Sequence, residues 1–146
     1  MNVGFQSKGF KVYSTDGHNF ILLEDIQYMS RLGVLYILPA GATSDGASVP
    51  QAAWNILPPF GSYWKAAYLH DCAYRNTLLL ADKSVANLTF EQSNDLLKEA
   101  MEVDGETEDI TIFNIYEGVA LGGRVAFDGD RAAGAASYMA DITTLT

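Results

Sequence analysis

The sequence predicts an α+β fold: an N-terminal antiparallel sheet packed on a bundle of about three helices, followed by a C-terminal extended arm. Three observations carry this expectation. Between Gly9 and Leu38 the apolar residues come in short bursts (GFKVYST, NFILLED, VLYILP) separated by turn dipeptides such as Asp16-Gly17 and Leu32-Gly33, which is the texture of an antiparallel meander. After Pro59 the apolar residues form helix-length runs with a 3.6-residue stripe. The two textures are segregated along the chain, which separates strands from helices instead of alternating them as a parallel sheet would.

Between them, residues 39–59 hold all four prolines of the chain. A long loop is expected there, with one short helix over Gln51 to Leu57 because Pro50 suits a first helical turn. The first long helix is expected from about Tyr63 to Arg75, capped by Ser62 and ended by Asn76, with Tyr63, Ala66, Ala67, His70 and Tyr74 facing inward. The second begins at the capping box Thr89-Phe90-Glu91-Gln92 and stops near Gly105, with Phe90, Asn94, Leu97 and Met101 on one stripe. The third is expected from about Glu108 to Gly122, with Thr107 as its N-cap and Ile112, Phe113, Tyr116, Val119 and Ala120 buried. Residues 1–123 thus form one domain. Residues 124–146 are rich in small side chains without a clear core face, and read as an arm that orders against neighbouring subunits through Phe127, Tyr138, Met139, Ile142 and Leu145.

Composition excludes several functions. The chain has 146 residues, 49% of them hydrophobic and 18% charged, which suits one folded domain and not a disordered chain. No apolar run reaches the length of a bilayer span, so no transmembrane segment is expected. A net charge of -9 is the opposite of what phosphate neutralisation needs, so no nucleic-acid partner is expected. The lone Cys72 points to a reducing compartment, and synthesis in cytoplasm is expected.

One polar residue sits in the middle of each of the first two apolar stripes. His70 and Tyr74 share a face four residues apart, and Ala66 and Ala67 beneath His70 allow another helix to approach closely. The Asn94 helix is the natural candidate, which would put an amide opposite the imidazole. A histidine oriented in this way serves as a general base, and Asp71, about 100° round the helix, points sideways to a metal or a loop. The loop from Ala40 to Ser48 offers carbonyls and Asp45 to a hard cation such as calcium. A buried histidine satisfied by one hydrogen bond, and a turn in which Asp45 and Ser48 bond their own backbone, are the structural alternatives. The acidic run from Glu99 to Asp109 reads as a solvated turn, and Cys72 lacks a base on its own face.

The succession Pro39-Ala40-Gly41, Ser44-Asp45-Gly46-Ala47-Ser48-Val49-Pro50, Trp54, Leu57-Pro58-Pro59, Leu69-His70-Asp71, Tyr74 and Glu99-Ala100-Met101 resembles a family of uncharacterised domains found in tailed bacteriophage and prophage genomes, over roughly Phe20 to Met101. That family has Thr where Ser44 stands. The segment His70-Asp71-Cys72-Ala73-Tyr74-Arg75-Asn76 is also similar to the His-Asp helix of secreted bacterial and fungal phospholipases. This second resemblance implies that His70 deprotonates water, that Asp71 binds calcium and that Tyr74 belongs to the orienting network. Asn94 falls where those enzymes have an aspartate, and their glycine- and cysteine-rich calcium loop is missing here. The leading expectation is a virion or tail-associated protein, assembled with other phage subunits and carrying an altered His-Asp site. A calcium-dependent hydrolase of lipid or cell-envelope esters is the alternative, and an intracellular factor binding a host protein or small molecule is a third.

Overall fold

The computed structural model describes residues 1–45 and 62–145. Seven strands run β1 (Gly4–Phe5), β2 (Val12–Tyr13), β3 (Phe20–Leu22), β4 (Ile26–Met29), β5 (Leu35–Leu38), β6 (Thr43–Ser44) and β7 (Leu79–Leu80). Four helices accompany them: α1 (Ser62–Arg75), α2 (Phe90–Asp104), α3 (Asp109–Gly122) and α4 (Arg124–Ala133). The class is α+β, with strands first and helices after. Two small sheets, ordered β1-β4-β5-β7 and β2-β3-β6, are antiparallel throughout. The Gly33 turn between β4 and β5 shows why: Gly33 adopts φ 83°, which an L side chain resists, and Ser30 and Val34 close the hairpin through a 2.9 Å backbone bond. β7 follows α1, so one strand escapes the segregation seen in the sequence. It is two leucines long and pairs with β5.

The second helix and the end of the first match their sequence signals, whereas Ser62, expected as the cap of the first, is already its first helical residue. α1 ends at Asn76, whose φ of 62° is the left-handed conformation that asparagine tolerates at a helix end. α2 carries the reciprocal capping box of Thr89 and Gln92 and stops at Gly105 in the left-handed region, an arrangement that contributes about 1 kcal/mol. α3 differs in detail. Its N-cap is Glu108, not Thr107, with no side-chain cap bond. Its buried residues are Ile112, Ile115 and Val119; Phe113 is 56% exposed and Ala120 is exposed. Tyr116 is half-buried, and its hydroxyl donates to Asp95 at 2.8 Å.

The largest correction concerns residues 124–145, expected as an extended arm. They form α4 and two 3-10 turns, Ala135–Tyr138 and Ile142–Thr144, and they pack on their own chain. Phe127 is buried against Tyr74 and Phe90. Arg131 donates to the carbonyls of Ala73 and Tyr74 in the last turn of α1 and to that of Leu88 just before α2, and it lies over the Phe127 ring. Met139 bridges to Ala42, and Ala140 N–H donates to the Gly41 carbonyl. Small residues need little buried area to order when the few large ones make contacts of this kind. The expected short helix over Gln51 to Leu57 lies outside the described residues.

The core joins both sheets to α1 and α2: Leu22, Tyr28 and Leu38 from the strands, Tyr68, Leu69 and Cys72 from α1, Leu97 and Met101 from α2. Every residue of α1 from 66 to 75 is buried. A helix enclosed on all sides puts His70, Asp71 and Arg75 out of water together, and each then needs partners.

Candidate active site

His70 is 0% exposed. Its Nε2 lies 2.9 Å from Asn94 Oδ1, and the Tyr74 hydroxyl donates to the same oxygen at 2.7 Å. The expectation that His70, Tyr74 and Asn94 meet across α1 and α2 therefore holds as geometry. An oxygen that already accepts from Tyr74 accepts from Nε2 as well, so the imidazole carries its proton on Nε2 and presents a bare Nδ1. That Nδ1 is buried and has no hydrogen-bond partner among the described residues. Burial pushes the His70 pKa down, against smaller opposing effects of the Asn94 bond and the Asp71 charge, so the ring is neutral at neutral pH and its Nδ1 carries an unprotonated lone pair. The rings of His70 and Tyr74 lie 4.1 Å apart, and Phe127 and Phe90 pack behind Tyr74. The Tyr74 hydroxyl is held protonated, its pKa raised by burial. Gly123, between α3 and α4, comes so close that a Cβ there would meet the Tyr74 hydroxyl and lie 2.5 Å from the Val119 carbonyl oxygen; only glycine fits.

On another face of α1 lies a second constellation. Ser44 Oγ donates to Asp71 Oδ2 at 2.5 Å. Arg75 reaches Asp45 at 3.0 Å, the Thr43 carbonyl at 2.9 Å and the Thr43 hydroxyl at 3.0 Å. The Tyr138 ring stacks on Arg75 at 4.4 Å, and the Tyr138 hydroxyl donates to Asp130. β6 and the residue after it are thus strapped along α1 by two charged side chains one turn apart, with Tyr138 as the cover.

This arrangement bears on the expected calcium ligands. Calcium takes six to eight oxygens, whereas Asp71 is committed to a serine hydroxyl and Asp45 to a guanidinium. No group of three His, Cys, Asp or Glu side chains among the described residues is placed to hold a metal ion, and residues 46–61 contain no carboxylate. Among the described residues the donor set does not fit calcium, and Arg75 supplies the positive charge that Asp45 faces; the last part of the expected loop, residues 46–48, lies outside the described residues. Cys72 is inert as well, because burial pushes its thiol up to about 12.

The residues expected as intersubunit anchors lie elsewhere than expected. Phe127 belongs to the aromatic cluster behind Tyr74, Tyr138 covers Arg75, and Met139 bridges to Ala42. Ile142 and Leu145 are half-buried beside the last 3-10 turn. Four residues that matter here were not singled out by the sequence: Ser44, Arg75, Gly123 and Arg131. Arg75 carried a signal, being one turn from Asp71 on the same helix; the others are set by contacts between distant parts of the chain.

The fold and this buried His-Tyr-Asn site define an α+β domain with an imidazole held in a single tautomer. The chain belongs to the family described as "Protein of unknown function (DUF1353)", which it matches over residues 20–116. The matched span contains His70, Tyr74 and Asn94 and ends before α4. Over 54 residues the chain is 41% identical to "Uncharacterized protein y4jT" of Sinorhizobium fredii (strain NBRC 101917 / NGR234), covering 36% of this chain and 16% of that protein. The chain therefore spans only a small part of that relative's length. No solved structure matches it. Membership of an uncharacterised family agrees with the expectation; the association with phages is not part of what the similarity shows. No helix among the described residues is long and apolar enough to cross a membrane.

Proposed function

We propose that this protein is an ester hydrolase in which His70 is the general base. The observation that supports this reading is the pairing of Nε2 with Asn94 and the bare, buried Nδ1 on the other side of the ring. Nδ1 takes a proton from water as the water oxygen bonds to the ester carbonyl carbon. The tetrahedral adduct then collapses, the leaving alkoxide takes that proton from Nδ1, and acid and alcohol depart. Asn94 holds the tautomer, and Tyr74 holds Asn94. An amide gives the transient imidazolium no compensating charge, so turnover is modest. The substrate class proposed is a lipid or cell-envelope ester, from the similarity of the α1 segment to phospholipase helices.

The test is hydrolysis of p-nitrophenyl esters of increasing acyl length and of phospholipid vesicles by the wild type and by His70→Gln. The variant should lose about 10²- to 10⁴-fold in kcat with an unchanged circular dichroism spectrum. A wild type that hydrolyses no ester, or a variant that keeps the rate, overturns the reading.

A second reading, a virion or tail-associated component bound to other phage subunits, draws on exposed apolar side chains of α3 and α4: Leu121 and Val125 are each 84% exposed and Ile110 62%. It no longer draws on residues 124–145, which pack on their own chain. Its test is whether the protein is found in purified virions.

A further inference from the structure

The helix α3 is apolar on two sides, and its own chain covers one of them. Ile112, Ile115 and Val119 are buried, whereas Ile110, Phe113 and Leu121 are each more than half exposed. At about 100° per residue, positions 110, 113, 117 and 121 fall within about 80° of one another, on the side opposite the buried residues. The row continues past α3. Gly123 N–H donates to the Val119 carbonyl at 2.8 Å and Phe127 N–H to the Gly123 carbonyl at 2.9 Å, so helical bonding runs through the junction and sets the exposed Val125 one turn beyond Leu121. The outer side of a surface helix is ordinarily polar. Four large apolar side chains in a row make a patch on the order of 500 Å², at the upper end of what a monomer leaves bare, and such patches mark contact surfaces.

The charges around the row define what meets it. Glu117 is exposed in its middle, and Glu106, Glu108 and Asp109 are exposed at its N-terminal end. Of the cations nearby, Arg124 pairs with Asp128 at 3.2 Å and Lys98 lies over the Tyr116 ring. A second copy of the chain fits this surface poorly, because a two-fold axis through the middle of the row sets Glu117 against Glu117 and buries two like charges together. An anionic lipid surface fits poorly as well, being repelled by these acids and by a net charge of -9.

We propose that the row Ile110, Phe113, Glu117, Leu121 and Val125 is a docking surface for a basic amphipathic helix of a partner protein, whose apolar stripe covers Phe113 and Leu121 and whose central Lys or Arg pairs with Glu117. The inference deepens the assembly reading, resting on the same exposed face, and is independent of ester hydrolysis. Side chains spaced three and four residues apart form the ridge that the groove of another helix receives. A cation at the centre compensates Glu117 as it leaves water, which a wholly apolar partner would not do.

The test uses the full-length protein and a fluorescein-labelled helical peptide of about 18 residues, long enough to lie along α3, with one row of leucines interrupted and flanked by lysines. A second peptide carries glutamate at each lysine. Fluorescence anisotropy should show binding of the lysine peptide and none of the glutamate peptide. Leu121→Gln should weaken binding by about 10-fold or more, the worth of one buried leucine, and Glu117→Lys should reverse the preference between the two peptides. Both positions are exposed, so the melting temperature should stay that of the wild type, and amide shift changes on adding the lysine peptide should fall on α3 and α4. Binding that neither variant alters is attraction to an acidic chain at large and overturns the inference, as does a wild type that binds neither peptide. A concentration-dependent dimer in sedimentation that Leu121→Gln dissolves assigns the row to a second copy, and attachment to phosphatidylcholine–phosphatidylglycerol vesicles that needs Leu121 assigns it to lipid; either result also overturns it. The measurement needs no virion, so its failure is distinct from absence of the protein from virions.

Discussion

Replacing Asn94 by Asp changes one atom and probes the whole site. In the wild type Asn94 Oδ1 accepts from His70 Nε2 and from Tyr74 Oη, and residue 94 is buried on α2. The aspartate keeps both bonds and makes them charge-assisted, a gain of about 1 kcal/mol each. Against this stands a buried charge without a counter-ion while His70 is neutral, at about 3–5 kcal/mol. The variant should therefore be less stable than wild type by about 1–3 kcal/mol at pH 9. The wild type itself loses stability in acid. Because burial holds the folded-state His70 pKa below its ordinary value of about 6.5, the unfolded chain takes up a proton first, so this contribution is present above that pH and is lost as pH falls. In the variant a carboxylate favours the imidazolium, so the gap between the two proteins narrows or reverses between pH 9 and pH 5. Urea unfolding at pH 5, 7 and 9 reads this directly, and the ester assay should show equal or faster turnover in the variant. A stability difference that stays constant across pH would mean that His70 does not sense residue 94, and the coupling argued above would be refuted.

Other expectations follow from α4, Gly123 and Cys72. Phe127→Ala removes a buried ring from the cluster with Tyr74 and Phe90 and should cost about 3 kcal/mol in urea unfolding; a stable, unaltered monomer would return these residues to the status of an arm. Gly123→Ala should displace the Tyr74 hydroxyl from Asn94 and lower both stability and ester turnover, whereas a neutral outcome would show that α4 stands further off than described. Cys72 should resist a disulfide reagent in the native protein at pH 8 and react fully after unfolding; rapid native labelling would contradict its burial.

How much of this was legible in the sequence depends on how local each feature is. The capping box at Thr89, the stop at Asn76 and the inward stripes of α1 and α2 are encoded within a turn or two of chain, and they suffice to bring His70, Tyr74 and Asn94 together. The fate of Asp71 and Asp45 was not legible. Their partners Ser44 and Arg75 are fixed by how β6 is laid on α1, and sequence spacing cannot distinguish a carboxylate awaiting a cation from one that holds a serine or an arginine. Residues 124–145 misled for a related reason. Their alanines and glycines suggest a chain unable to offset its own ordering entropy, yet Phe127 and Arg131, four residues apart on one face between Gly123 and Gly134, carried a helical signal. The face they dock on lies about fifty residues earlier. Tyr63 was visible as an inward residue, but that its hydroxyl lacks a partner emerges only once its surroundings are in place.

A general base at His70 requires a neutral imidazole with its proton on Nε2 and its lone pair on Nδ1. Nitrogen-15 chemical shifts of the two histidines, His18 and His70, measured from pH 5 to pH 9 and assigned with a His18→Asn variant, report both tautomer and charge. At pH 7 His70 should show a protonated, pyrrole-like Nε2 and an unprotonated, pyridine-like Nδ1, with a titration displaced below the ordinary imidazole range. A proton on Nδ1, or an imidazolium at pH 7, would contradict the assignment of His70 as the base.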